Sequence, residues 1–295
     1  MKTLVPPIKC QGIKTKLVPL IREMAEWDEK GAWIEPFTGS GVVGLNLAPK
    51  RAVFADSNPH TIAFFKCLQT LEITPSIVRN FLHEEGEKLE QEGEAHYYSI
   101  RNRFNKEGSP LDFLFLNRSC FNGVMRFNKK GGFNVPFCRK PNRFAKAYVT
   151  KIVNQVADLV ERMRHSEWQF RVQSFDETIA SATSGDFIYA DPPYVGRHVD
   201  YFDSWDEDRE HMLFRVLSKT PARFILSTWV ENAYRRNAFV DSLWGEFPRV
   251  TRSHFYHVGA SELNRNPMTE ALVMNFNPPA YKADRQRLEQ YALPL

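Results

Sequence analysis

Ile13, Leu17, Leu20, Ile21 and Met24 recur at helical spacing, so the pattern predicts an amphipathic helix over residues 14–27. The period then changes. Ala32-Trp33-Ile34-Glu35 reads as a short buried strand ending at Pro36, and a turn with two glycines leads into a helix over residues 42–47. Arg51-Ala52-Val53-Phe54-Ala55 is a second strand, stopped by Asp56-Ser57-Asn58-Pro59. Strand, turn, helix, strand is a βαβ unit, whose two strands run parallel.

From about residue 60 to 164 the chain reads as mostly helical and polar, interrupted by an aromatic-rich segment at 113–137. There Lys129-Lys130-Gly131-Gly132 separates Met125-Arg126-Phe127 from Phe133-Asn134-Val135, which predicts a β-hairpin with a basic tip. Tyr148, Ile152, Val156, Leu159, Val160 and Met163 mark a helix returning to the core. Strands follow at 168–172 and 187–190, a helix at 206–218, and a strand at 223–227. Two late strands, 250–257 and 270–276, are expected to form an antiparallel pair. The architecture is α/β, a mostly parallel sheet with a late antiparallel hairpin. Residues 1–60 and 165–295 would form one domain, with 61–164 inserted into it.

A length of 295 residues suits such a core with an insertion, and 43% hydrophobic with 25% charged residues is ordinary globular composition. No apolar stretch approaches the length of a membrane-spanning helix, and the N-terminus lacks the apolar core of a signal peptide. The expectation is a soluble, cytoplasmic protein. Cys10, Cys67, Cys120 and Cys138 are scattered, with no CxxC pair and no His at ligand spacing, so neither a disulfide scaffold nor a metal site is expected. A net charge of +4 says little, but its distribution says more. No acidic residue lies between Asp112 and Asp158, while Arg118, Arg126, Lys129, Lys130, Arg139, Lys140, Arg143, Lys146 and Lys151 all do. Such a region suits a phosphate backbone, although a solvated face would look the same. The opposite run at 83–94, with six Glu, reads as a solvated helix or loop.

Two motifs carry chemistry. The first is Glu35-Pro36-Phe37-Thr38-Gly39-Ser40-Gly41, where two glycines let the backbone turn tightly beside a helix N-terminus. It is neither GxGxxG nor a Walker loop. Asp56 closes the next strand, where a carboxylate in Rossmann-like folds accepts bonds from ribose hydroxyls. Either feature alone is an ordinary turn or cap; together they indicate an adenosine-containing cofactor. The second motif is Asp191-Pro192-Pro193-Tyr194, directly after the apolar strand Phe187-Ile188-Tyr189-Ala190. The lone pair of an adenine amine is delocalised into the ring. If Asp191 and the Pro192 carbonyl accept both N–H bonds, the nitrogen is drawn toward tetrahedral geometry. Pro192 and Pro193 hold that carbonyl rigidly, and Tyr194 offers a face for base stacking. The plain alternative is a Pro-rich strand exit with an exposed Tyr.

Lys9-Cys10-Gln11-Gly12-Ile13-Lys14, Pro-Phe-Thr-Gly-Ser-Gly, Leu116-Asn117-Arg118 through Asn122-Gly123, Phe133-Asn134-Val135-Pro136-Phe137 and Asp-Pro-Pro-Tyr occur in this order. The ordered set resembles the Dam-like, α-class (D12 type) DNA adenine-N6 methyltransferases over nearly the whole chain. The strand Glu270-Ala271-Leu272-Val273-Met274-Asn275 is similar to that family's final hairpin. The resemblance implies a Rossmann-like, S-adenosyl-L-methionine-dependent methyltransferase fold with an inserted target-recognition domain. It implies that Cys10 (where the family commonly has Trp) and Lys14 line the cofactor pocket with residues 35–41. Asp56 would bind the adenosyl moiety, Phe175 would flank its adenine, and Asp191 would meet both cofactor and base. Arg118, Asn122, Arg126, Lys129, Lys130, Asn134 and Arg139 would contact double-stranded DNA. A monomer is expected, acting alone or beside a cognate restriction endonuclease. A different planar amine (cytosine N4, an RNA adenine or a protein amide) and a catalytically silent DNA-binding module are the competing readings. The motif order disfavours the first, and the intact Asp-Pro-Pro-Tyr corner disfavours the second.

Overall fold

The computed structural model describes residues 3–128, 130–194, 205–232, 234–255 and 267–278. Its strands are β1 (Trp33–Glu35), β2 (Arg51–Asp56), β3 (Glu167–Val172), β4 (Phe187–Ala190), β5 (Arg223–Asn232), β6 (Arg249–Phe255) and β7 (Pro267–Met274). They form a seven-stranded sheet in the order β3-β2-β1-β4-β5-β7-β6, parallel except for β7, which runs antiparallel to both neighbours. The helices are α1 (Val18–Met24), α2 (Val42–Leu47), α3 (Pro59–Gln69), α4 (Pro75–Glu92), α5 (Glu94–Glu107), α6 (Pro110–Ser119), α7 (Lys146–Arg164), α8 (Phe175–Ala180), α9 (Glu207–Leu217) and α10 (Phe239–Ser242).

Central strands are covered on both faces, which is why β1 and β4 are buried at every residue rather than at alternate ones. Trp33 of β1 stacks on Phe187 of β4 at 5.2 Å and 2°, with Tyr189 at 6.1 Å. Such pairs add about 0.5–1.5 kcal/mol each beyond area burial. On one side the sheet shares a core with α1 and with the insertion, where Phe65 of α3 stacks on Phe170 of β3 at 5.3 Å. On the other, Ile34, Ile188, Phe224, Ala271 and Val273 pack under α8 and α9. Among the described residues no helix is long and apolar enough to cross a membrane.

The structure departs from the sequence pattern in four places. α1 starts at Val18, because Pro19 favours a first helical turn and the residues before it form a turn in which the Leu17 and Val18 N–H groups donate to the Lys14 carbonyl. β5 runs on to Asn232 because β7 pairs with it as far as Met268. The basic hairpin is not a pair of strands. One bridge, Phe127 with Phe133, closes a turn in which Gly131 donates to the Asn128 carbonyl at 2.8 Å; Lys129 lies outside the described residues. The acidic run is no solvated face throughout. Within α4, Glu85 is buried, 2.7 Å from His96 and 3.3 Å from Arg103, and Arg103 also grips buried Asp112 at 2.6 Å.

This ion-pair network holds α4, α5 and α6 together. Arg103→Ala leaves Asp112 in the interior without its cation, and is expected to lower the unfolding free energy by about 3 kcal/mol. Urea denaturation of the two proteins checks it.

Candidate active site

The sheet order steps from β1 to β2 to β3 in one direction, then resumes with β4 on the other side of β1. At such a reversal the connections diverge and leave a crevice outside the carboxyl ends of the two central strands. The exit of β1 carries the glycine turn, and the exit of β4 carries Asp191-Pro192-Pro193-Tyr194. The topology thus brings both motifs to one place.

The glycine turn is pinned from beneath. The Thr38 N–H and hydroxyl both donate to the Ala55 carbonyl at 2.9 Å, tying the turn to the end of β2. Gly39 and Gly41 take φ of +48° and +67°, a region that side chains disfavour. The Gly39 N–H donates to Asp56 Oδ2 at 2.8 Å, and Asn58 N–H donates to Oδ1 at 2.9 Å, so the half-buried carboxylate is fixed at the mouth of the crevice. Glu35 behaves differently from the rest of the motif. Its Oε1 accepts from Trp33 Nε1 at 2.9 Å and from the Gly44 N–H at 2.6 Å, below α2. Burial pushes Glu35 up to about 8. Glu35, Pro36 and Ser40 are all buried, and Glu35 braces the turn from inside.

Phe37 stacks on Phe175 at 5.3 Å, and Trp205 closes edge-on against Phe37 at 5.4 Å. Trp205, absent from the sequence reading, is oriented by its indole N–H, which donates to Glu210 Oε2 at 2.9 Å. Cys10 faces the turn: a Cβ on Gly39 would meet its Sγ at 3.7 Å. Burial, with Asp56 and Asp191 adding, pushes the Cys10 thiol up to about 12, so it stays protonated and is no nucleophile.

Lys14, four residues after Cys10, ties that segment to the Asp-Pro-Pro-Tyr corner. Its ammonium is buried, donates to the Gly12 carbonyl at 2.7 Å, and lies 2.9 Å from Asp191 Oδ1 and 3.9 Å from Glu270 Oε1. Burial pushes Asp191 up to about 6; Lys14 opposes that shift and Glu270 adds to it. Tyr194 does not stand open as expected of a stacking platform. It is 8% exposed, packs with Trp229 and Met268, and donates its hydroxyl to Glu270 Oε1 at 2.7 Å, with Lys14 5.1 Å from its ring centre. The buried carboxylate draws the phenol inward. Pro192 is buried behind the corner and Pro193 is half-buried.

The insertion meets this site through the N-terminal segment. Buried Asn117 of α6 accepts from the Lys9 N–H at 2.7 Å and donates to the Lys9 carbonyl at 2.8 Å. Arg118 is buried, contrary to a freely exposed surface charge, and donates to Gln155 and to the Tyr148 hydroxyl. Arg143 donates to the same hydroxyl at 2.8 Å. Burial alone would raise Tyr148, yet Arg118, Lys9 and Arg143 outweigh it and hold the phenol below its ordinary value. Tyr148 passed as an apolar helix position in the sequence pattern; only its cationic neighbours reveal another role. Arg126 donates to Asn134 Oδ1 at 2.8 Å across the closed turn. Asn122 and Arg139 are exposed with φ of +54° and +57°, Lys130 is exposed at the tip, and Phe121 beside Asn122 is 54% exposed.

The sequence signature of the D12 class N6 adenine-specific DNA methyltransferases matches residues 11–258, and the chain belongs to that family. It is 36% identical over 194 residues to a DNA adenine methylase of Vibrio cholerae, an overlap of 64% of each chain. It is 29% identical over 263 residues to the type II methyltransferase M.MjaIII of Methanocaldococcus jannaschii, covering 79% of this chain and 86% of that one. Against the modification methylase StsI of Streptococcus sanguinis, 26% identity extends over 93% of this chain but 43% of the relative. The chain thus spans just under two thirds of the Vibrio relative's length. The sheet described above is accordingly the Rossmann-like sheet of a methyltransferase.

A Cβ on Gly44 would fall 2.5 Å from the Phe54 ring and 2.8 Å from Glu35 Oε1. Gly44→Ala is therefore expected to destabilise the fold by about 1–3 kcal/mol, as overpacking does. Thermal unfolding measures it.

Proposed function

We propose that this chain transfers a methyl group from S-adenosyl-L-methionine to the N6 amine of an adenine flipped out of double-stranded DNA. One observation carries this reading: Lys14 ties the Asp-Pro-Pro-Tyr corner to the segment that faces the glycine turn, so amine acceptors and cofactor cradle share one crevice. The cradle suits an adenosyl group. Asp56 presents a fixed carboxylate for ribose hydroxyls, the Gly39 side lacks the Cβ that would fill the space before Cys10, and Phe37, Phe175 and Trp205 offer aromatic surface to a purine. When bound, the cofactor supplies an electrophilic methyl group on a sulfonium.

The protein's own part is to position and polarise. Extruding a base costs a few kcal/mol, which contacts to the backbone offset. The Asp191 carboxylate and the Pro192 carbonyl accept the two N–H bonds of the amine, holding its nitrogen lone pair free of the ring and aimed along one direction. Tyr194 secures the corner through its hydroxyl. Arg118 and Arg143, in the window of the insertion free of acidic residues, converge on Tyr148 together with Lys9 of the N-terminal segment. Cations gathered without a carboxylate suit a DNA phosphate. Arg126, Lys130, Asn134, Arg139 and Asn122, with Lys129, would meet the groove and its backbone, and exposed Phe121 provides an apolar surface for a base step. Residues 1–60 and 165–295 would be the catalytic part and 61–164 the recognition part, in a cytoplasmic monomer. A solitary methylase and one paired with a restriction endonuclease share this chemistry. Mapping modified adenines in DNA from expressing cells distinguishes them.

The direct test is transfer of a labelled methyl group to DNA of mixed sequence, followed by nucleoside analysis. Label is expected on N6-methyladenine; label confined to cytosine would overturn the reading. Asp191→Ala is expected to abolish transfer with the fold intact, as judged by circular dichroism. Ionised Asp191 is the stronger acceptor for its N–H bond from the amine, so the rate should fall as pH drops through about 6 and level off above it. Lys130→Glu with Arg139→Glu is expected to weaken DNA binding and flatten its salt dependence in a titration series.

A further inference from the structure

Along β7 side chains alternate between the two cores, with Ala271 and Val273 on one side and Leu272 and Met274 on the other. Glu270 shares the face of Leu272 and Met268, and is 1% exposed. An apolar residue would be expected there, because an ionised carboxylate taken out of water costs several kcal/mol unless well partnered. Its partners come from distant parts of the chain. Tyr194 donates its hydroxyl to Oε1 at 2.7 Å, and Lys14 stands 3.9 Å from the same oxygen while lying 2.9 Å from Asp191. Opposite Glu270 on β5 is Trp229, and the register shifts between Trp229 and Glu231. Such an irregularity re-aims side chains, and is frequent beside functional sites.

We propose that Glu270 is a positioning residue for methyl transfer, anchoring the Tyr194 hydroxyl and, by sharing Lys14 with Asp191, governing the charge on the catalytic carboxylate. This rests on the reading that Asp191 accepts the N–H bonds of the target amine. Lys14 and Glu270 act on Asp191, which in turn acts on Glu35, Tyr189 and Cys10, and Arg252 of β6 is the register partner of Glu270. Glu35 is pushed up to about 8, Cys10 to about 12, and Tyr189 well above its ordinary value, so all three are largely neutral near pH 6. Glu270 is then the neighbouring negative charge among the described residues, and it opposes ionisation of Asp191. The same carboxylate that fixes the corner also raises the pH at which the corner works, in addition to the larger effect of burial.

The test is the single-turnover rate of methyl transfer by the full-length protein on DNA, across roughly pH 5 to 9. Glu270→Gln keeps an acceptor for Tyr194 but removes the charge. Its acidic limb is expected to move to lower pH by about half a unit or more; a limb at the wild-type position overturns the proposal. Tyr194→Phe keeps both charges and loses the anchor. Its rate is expected to fall about tenfold with the limb unmoved, and a wild-type rate overturns the anchoring role. Should Glu270→Gln lose its near-ultraviolet circular dichroism, Glu270→Asp carries the test: the charge remains with a shorter reach, so the limb stays and the rate drops, whereas a displaced limb is contrary. Asp191→Ala separates the two levels. An active Asp191→Ala enzyme removes the underlying reading, while an inactive one with an unmoved Glu270→Gln limb removes this inference alone.

Discussion

A single buried ammonium, that of Lys14, lies against two carboxylates, Asp191 at 2.9 Å and Glu270 at 3.9 Å. Removing these groups from water is costly, and the loss is recovered only where geometry is close and remaining hydrogen-bond capacity is met. Both conditions constrain the fold. Lys14 must arrive from the segment before α1, Asp191 from the end of β4, and Glu270 from the strand inserted antiparallel between β5 and β6. The reversed strand is therefore more than an edge ornament. It delivers a charge to the crevice from the side that the parallel strands cannot reach.

Two clusters joined through the N-terminal segment have opposite electrical character. Asp56, Asp191 and Glu270 gather at the carboxyl ends of the strands, beside rigid turns that leave few spare N–H groups. Against the insertion, Arg118 and Arg143, from a stretch of chain without acids, crowd one phenol together with Lys9 of the N-terminal segment. Acceptors on one side suit an amine and ribose hydroxyls, and cations on the other suit phosphates. This division is what the proposed reaction requires of a single nucleotide held by its base and its backbone at once.

Much of this was visible in the amino-acid order. The bounds of α2 and β4 follow directly from apolar runs closed by Gly, Pro or Asp, and both signature turns were placed at strand ends correctly. Local signals failed where tertiary partners decide. The Asn128–Gly131 turn was legible, but the strands flanking it were not formed, since Phe127 and Phe133 pack inward on His60 and α5 and make one bridge with each other rather than a ladder. Tyr194 looked like an exposed ring because nothing nearby in sequence announces Glu270, 76 residues away. Glu270 itself left one trace, an acid at an apolar register position between Met268 and Leu272. Arg118 looked like surface charge for a similar reason: its partners Tyr148 and Gln155 lie on a different helix.

The double hydrogen bond between Asn117 and the main chain of Lys9 clamps the N-terminal segment to α6. Five residues later the same segment ends in the ammonium between the two carboxylates. A stretch of that length reaches at most about 18 Å, so it works as a ruler between the part that would hold DNA and the part that would do chemistry. Its length, rather than its side chains alone, fixes how far α6 can stand from the seat of Lys14. The position of α6 and the integrity of the Lys14–Asp191 contact are thereby mechanically joined.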